Sequence, residues 1–219
     1  MKRVIITGAS NGLGLELAKS FIKKGFEVVG LSRTAPKDVK IKHIKVDLTN
    51  NEDIDNAVSE IKNKYSNFKY LINCAGILNI RKTNDLKIDE IERLFKINVF
   101  APMILSSELM DIIIKNESDI VNVGSSSAFK AIEGQSVYSS SKWAIRGFTK
   151  NLQLELKKTK SRAINFNPAG FKSGLFERST GGKQDLSSYM DVEDVASLLI
   201  TTLELPKNME VSEILINRK

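Results

Sequence analysis

The sequence predicts an α/β fold: one doubly wound sheet, mostly or wholly parallel, of about seven strands with helices on both faces. Short runs rich in Val and Ile alternate with amphipathic stretches at helical spacing along the whole chain. A turn containing Gly8, Gly12 and Gly14 stands between the first strand and the first helix, the place where a Rossmann-type sheet receives a dinucleotide. No composition shift, repeat or low-complexity tract divides the 219 residues, so one domain is expected over 1–219.

Each element follows from its pattern. Val4 to Thr7 reads as the first strand, and Leu13, Leu17 and Phe21 mark one face of a helix that begins near Gly12 and ends at Gly25. Phe26 to Leu31 and Ile41 to Val46 are the second and third strands. Ile54, Val58 and Ile61 define the next helix, with Asn50-Asn51-Glu52-Asp53 supplying caps and negative charge at its start. Tyr70 to Ala75 is a fourth strand, followed by a long helix from Asp89 to Lys115 with a kink at Pro102. Asp119 to Val123, Arg162 to Phe166 and Glu213 to Asn217 complete the strands; Ser136 to Lys157 and Asp191 to Leu203 are helices. Phe171 to Tyr189, the least regular segment and rich in Gly and Ser, reads as a lid or loop over a site at 171–189.

Composition narrows the classes. With 42% hydrophobic and 27% charged residues the chain has a globular balance. No apolar run reaches membrane-spanning length, and because Met1 leads straight into a strand-like segment no signal peptide is expected. One cysteine, Cys74, excludes an internal disulfide and agrees with a cytoplasmic location. That thiol and the single His43 cannot assemble a nitrogen/sulfur metal site. The net charge of +7 comes from lysines scattered among acids, as in Lys87-Ile88-Asp89-Glu90-Ile91-Glu92-Arg93. This is a solvated basic surface rather than a nucleic-acid stripe, and part of the excess suits steering of an anionic cofactor.

The glycines are separated by four and then two residues, and the turn they form aims backbone N–H groups at an anion. Nineteen residues beyond Gly14 stands Arg33, in Gly30-Leu31-Ser32-Arg33-Thr34, where an NAD-binding chain of this fold carries an acid for the ribose hydroxyl. An arginine there suits a 2′-phosphate, so NADP(H) is expected over NAD(H). Asp47 either contacts the adenine together with Leu48 or caps the residues from Thr49 onward.

Tyr138 and Lys142, four residues apart in Ser136-Val137-Tyr138-Ser139-Ser140-Ser141-Lys142, share one helix face. A lysine ammonium beside a phenol favours the phenolate. With a cationic nicotinamide, the pair is expected to bring a group of pKa about 10 to near 7. Ser139 to Ser141 read as small packing residues, and no histidine lies nearby for serine-hydrolase chemistry.

Taken together, Thr7-Gly8-Ala9-Ser10-Asn11-Gly12-Leu13-Gly14, Asn73-Cys74-Ala75-Gly76, Asn98 in Lys96-Ile97-Asn98-Val99, and Ser125 thirteen residues before Tyr138 resemble the short-chain dehydrogenase/reductase family nearly end to end. The resemblance implies a tetrad of Asn98, Ser125, Tyr138 and Lys142. Tyr138 would exchange a proton with a substrate oxygen as hydride moves to or from nicotinamide. Ser125 would polarise that oxygen, Lys142 would hold the nicotinamide ribose, and Asn98 would hold a water leading to solvent. It implies cofactor contacts from Gly8, Ser10, Asn11, Gly12, Leu13, Gly14, Asp47, Leu48, Asn73, Ala75 and Gly76. The turn Asn167-Pro168-Ala169-Gly170-Phe171-Lys172-Ser173 resembles the family's P-G-x-x-x-T segment, with Pro168, Gly170, Phe171 and Ser173 as contacts and Ala169 and Ser173 as departures from the pattern. Asn11 also departs, since NADP-preferring members often carry a basic residue there.

The activity implied is that of a carbonyl reductase or alcohol dehydrogenase, with 3-oxoacyl thioester reduction as a special case; the alternative is a silent cofactor-binding sensor of the same fold. Phe129, Phe171, Leu175 and Phe176 are either an apolar substrate pocket or lid core, and Lys130 and Lys172 are placed to meet an anion. The resemblance further implies a homodimer or homotetramer built on the long helix and the Tyr138 helix.

Overall fold

The computed structural model describes residues 2–183 and 185–219; Gln184, inside the expected lid, lies outside the described residues. Seven strands form one sheet in the order β3-β2-β1-β4-β5-β6-β7, and every pairing is parallel. They are β1 (Arg3–Thr7), β2 (Glu27–Ser32), β3 (Lys42–Lys45), β4 (Tyr70–Asn73), β5 (Asp119–Val123), β6 (Ala163–Pro168) and β7 (Glu213–Ile216). The expected fold class is therefore met, and the sheet is wholly parallel.

The central strands are buried on both faces, as a parallel sheet covered by helices requires. Alternation along β1 divides the core. Ile5 joins the layer packed under α2 (Asn51–Lys64), α4 (Ala101–Glu108) and the end of α6 (Ser136–Leu156); Val4 and Ile6 join the layer under α1 (Gly12–Lys23) and α8 (Val192–Leu203). The side chain of Asn50 caps α2 by accepting from the N–H groups of Glu52 and Asp53. The strand order reverses between β1 and β4, and the carboxyl ends of these strands open the crevice that holds the candidate site.

Two expectations are corrected. The helix expected from Asp89 to Lys115 is α3 (Ile88–Phe95), a π-helical turn from Lys96 to Phe100, α4, and α5 (Met110–Lys115), with a break at Leu109. Pro102 has no N–H to offer the carbonyl of Asn98 four residues back, and the helix widens just ahead of it. The second correction lies in the segment read as loop. It contains a short helix, α7 (Leu175–Thr180), bounded by Gly174 and Gly181, both in the left-handed region.

Candidate active site

A cavity of about 1360 Å³ runs over the carboxyl ends of the strands. Its floor is the glycine turn, where Gly8, Ser10, Asn11, Gly12, Leu13 and Gly14 all line the wall. The Thr7 hydroxyl accepts from the N–H groups of Cys74 and Ala75, each at 3.0 Å, which ties the end of β1 to the segment after β4. A Cβ on Gly14 would collide with the carbonyl of Gly8, so only glycine permits this approach of α1 to the turn. Asn11 caps α1 without a side-chain bond and no acid occupies its first turn, leaving the helix's leading N–H groups uncommitted.

At the cavity's centre stand Ser125, Tyr138 and Lys142. Burial raises the Tyr138 phenol above its ordinary value, partly offset by the nearby Ser125 hydroxyl. Lys142, 4% exposed, donates from Nζ to the carbonyl of Val123 at 2.9 Å. Burial lowers its pKa to about 8, against a smaller opposing influence of Cys74. Its Nζ lies 5.6 Å from the centroid of the Tyr138 ring. Desolvation dominates both groups, moving the phenol up and the ammonium down. Burial also pushes the Cys74 thiol up to about 12, which makes it inert as a nucleophile.

Asn98 and Asn73 do not line the cavity. Asn98, 2% exposed, donates from Nδ2 to the Ile77 carbonyl and Ser141 and accepts at Oδ1 from the Ile77 N–H, which leaves Oδ1 one lone pair for the expected water. It still borders the centre: a Cβ on Gly76 would sit 3.4 Å from Asn98 Oδ1 and 3.7 Å from Lys142 Nζ. Asn73 pairs in register with Asn122 across β4 and β5, and its Nδ2 donates to Asn122 Oδ1 at 2.8 Å. The expected cofactor contact from Asn73 is therefore corrected to an inter-strand amide pair, while Ala75 and Gly76 do line the cavity.

The far end is basic. Arg33 and Arg93 both line the wall with Asp47 and Leu48. Among the described residues neither guanidinium has a carboxylate partner within 4 Å. Asp47 accepts from the N–H and hydroxyl of Thr49 at 2.9 and 2.8 Å. The Thr49 N–H chiefly holds its pKa below the ordinary value, and the positive charges of Arg33 and Arg93 add to this. The cap reading of Asp47 is thus realised, and its position on the cavity wall keeps the adenine contact open.

On the opposite rim, Pro168, Gly170, Phe171 and Ser173 line the cavity as expected, and α7 closes over it. Ser179 Oγ accepts from the N–H of Leu78 at 3.2 Å. Phe171, Leu175, Phe176 and Lys130 also face the cavity. Phe129 instead lies under Arg146, whose guanidinium is 3.9 Å from the ring centroid, and Lys172 pairs with Asp191 at 2.7 Å. Sequence reasoning missed Arg93 and Arg178. No spacing rule ties Arg93 to Asp47, and Arg178 lay in a segment read as irregular.

The size of the cavity, the crowded glycine turn and the uncommitted guanidinium groups fit an anionic dinucleotide.

Comparison with known proteins agrees with this geometry. The short chain dehydrogenase family model matches residues 2–184. An uncharacterized oxidoreductase of Staphylococcus saprophyticus is 26% identical over 230 aligned positions, covering 98% of this chain and 96% of that protein. A 4-hydroxyisoleucine dehydrogenase complexed with NADH superposes with a TM-score of 0.88 at 26% identity, covering 100% and 98% of the two chains. An alcohol dehydrogenase from the archaeon Thermococcus sibiricus, complexed with 5-hydroxy-NADP, gives a TM-score of 0.88 at 19% identity over 99% and 96%, and shares the fold. Among the described residues no helix is long and apolar enough to cross a membrane, and no group of three or more His, Cys, Asp or Glu is placed to hold a metal ion.

Proposed function

Because the chain belongs to the short-chain dehydrogenase/reductase family of oxidoreductases, we propose that it interconverts a carbonyl and a secondary alcohol, using NADPH in preference to NADH. The observation that carries the reading is that a single cavity holds both the glycine turn and the Ser125–Tyr138–Lys142 group. When bound, the nicotinamide supplies the hydride in reduction and takes it in oxidation.

The protein's own residues handle the proton. Tyr138, kept protonated by burial, donates its hydroxyl proton to the carbonyl oxygen as that oxygen becomes an alkoxide. Ser125, which lines the same cavity as the phenol, steadies the substrate oxygen. Lys142, held by Val123, places an ammonium one helical turn from the phenol, where it binds the nicotinamide ribose and stabilises the phenolate left behind. In the reverse direction the phenolate takes the alcohol proton.

Arg33 and Arg93 support the NADPH preference, since two guanidinium groups that line the cavity, both close enough to Asp47 to lower its pKa, suit a 2′-phosphate. Asn11 is not basic, and Arg93 provides the second cation from α3. The segment 171–189 acts as the lid of one catalytic domain. The exposed side chains of Phe100, Trp143 and Leu154 supply an apolar surface, much of it on α6, for assembly into a homodimer or homotetramer.

Following nicotinamide absorbance over a panel of carbonyl compounds and alcohols, with both cofactors, tests this reading. It predicts turnover with NADPH exceeding turnover with NADH. Tight binding of NADPH without turnover of any compound would contradict it.

A further inference from the structure

The lid carries an unpaired cation directly over the glycine turn. Arg178, on α7, donates from Nη2 to the carbonyl of Ser173 at 2.9 Å. A Cβ built on Gly12 would lie 3.1 Å from that carbonyl and 3.6 Å from Arg178 Nη2. The guanidinium therefore overhangs the glycine whose neighbouring N–H groups lead into α1.

Although Arg178 is exposed overall, its guanidinium tucks against Ser173 and Gly174. The resulting desolvation holds its pKa below the ordinary value. Among the described residues it has no carboxylate within 4 Å. Neighbouring Glu177 leaves Oε2 buried without a partner rather than pairing with it. A guanidinium has five donors, and this one uses one of them on the protein. Its other donors sit where an anion resting on the glycine turn would complete them.

We propose that Arg178 is a lid-borne ligand of the cofactor's diphosphate, so that dinucleotide binding and the docking of α7 between the glycine turn and Leu78 occur together. This rests on the reading of the cavity as a nicotinamide dinucleotide site. The diphosphate is common to NADPH and NADH, so Arg178 acts equally on both, unlike Arg33.

Calorimetric titration of the full chain tests the proposal, using NADPH, NADH and adenosine 2′-monophosphate against the natural protein, Arg178→Gln and Lys172→Gln. Arg178→Gln is expected to weaken both dinucleotides by the same factor, on the order of tenfold or more, and to reduce the salt sensitivity of NADH binding. Adenosine 2′-monophosphate, which lacks the diphosphate, binds unchanged, and Lys172→Gln, whose cation faces Asp191, binds all three normally. NADPH slows amide hydrogen exchange in 175–180 in the natural protein and fails to do so in Arg178→Gln. Equal dinucleotide affinities in Arg178→Gln and the natural protein would overturn the proposal, as would a loss confined to NADPH or an unchanged salt sensitivity. A natural protein that binds neither dinucleotide would overturn both this proposal and the cavity reading beneath it.

Discussion

Asn98 grips the backbone of Ile77 at both of its polar groups: Oδ1 accepts from the Ile77 N–H at 2.9 Å and Nδ2 donates to the Ile77 carbonyl at 3.0 Å. The same Nδ2 donates to Ser141 at 3.2 Å. One buried amide therefore joins the π-helical turn, the segment after β4 and α6, which carries Lys142. Its work in this structure is to hold that junction together.

Replacing Asn98 with Ala should destabilise the protein by about 2–3 kcal/mol, because the N–H and carbonyl of Ile77 lose their partners inside the protein. Urea denaturation measures this as a lower midpoint with an unchanged slope. An unchanged midpoint would show that water replaces the amide freely.

Gly14→Ala is expected to cost about 1–3 kcal/mol, since its Cβ would collide with the carbonyl of Gly8 and force α1 away from the turn. Loss of NADPH affinity should accompany the lower melting temperature, because the displaced N–H groups are those that face the anion. Thermal melts with and without NADPH would show a smaller ligand-induced rise than in the natural protein.

Much of the fold was legible because its signals are periodic and local. The Val-Ile runs and the Leu13-Leu17-Phe21 stripe give the strands and α1 to within a few residues, and Asn50 caps α2 as its position suggested. The site was legible where backbone shape sets chemistry, as at Gly8 and Gly12, whose φ values are 72° and 53°. It failed where side-chain direction mattered. Asn73 lies in a segment resembling a cofactor-binding motif, yet strand register turns it to Asn122. Helix α7 was hidden because its six residues sit between two glycines in a Gly- and Ser-rich stretch, too short for helical periodicity to show. The spacing of Tyr138 and Lys142 reports their proximity, while their burial shows only in the packed fold.

Arg33→Ala should weaken NADPH by roughly 10–100-fold while leaving NADH nearly unchanged, the loss expected for charge-assisted bonds to one phosphate. Arg93→Ala should act in the same direction with a smaller effect. Competitive titration of the two cofactors checks both, and equal losses for NADPH and NADH would remove Arg33 from 2′-phosphate recognition.

Lys142→Met is expected to raise the melting temperature at neutral pH while removing activity. Lowering the Lys142 pKa from 10.5 to about 8 corresponds to a cost of about 3 kcal/mol for holding the ammonium at neutral pH. A lysine with a folded pKa below its unfolded value binds fewer protons when folded. Stability of the natural protein therefore rises with pH between about 8 and 10.5. The variant's advantage should shrink across that window, and melts at a series of pH values would reveal it. An advantage independent of pH would mean that the ammonium is not penalised by burial.

The most direct test of the central claim is a comparison of the natural protein with Tyr138→Phe for NADPH affinity and single-turnover hydride transfer to a carbonyl substrate found in the panel. NADPH affinity should be unchanged in Tyr138→Phe and the transfer rate lower by roughly 10²–10⁴-fold, the usual contribution of a positioned proton donor. Transfer at the natural rate in Tyr138→Phe would contradict the claim.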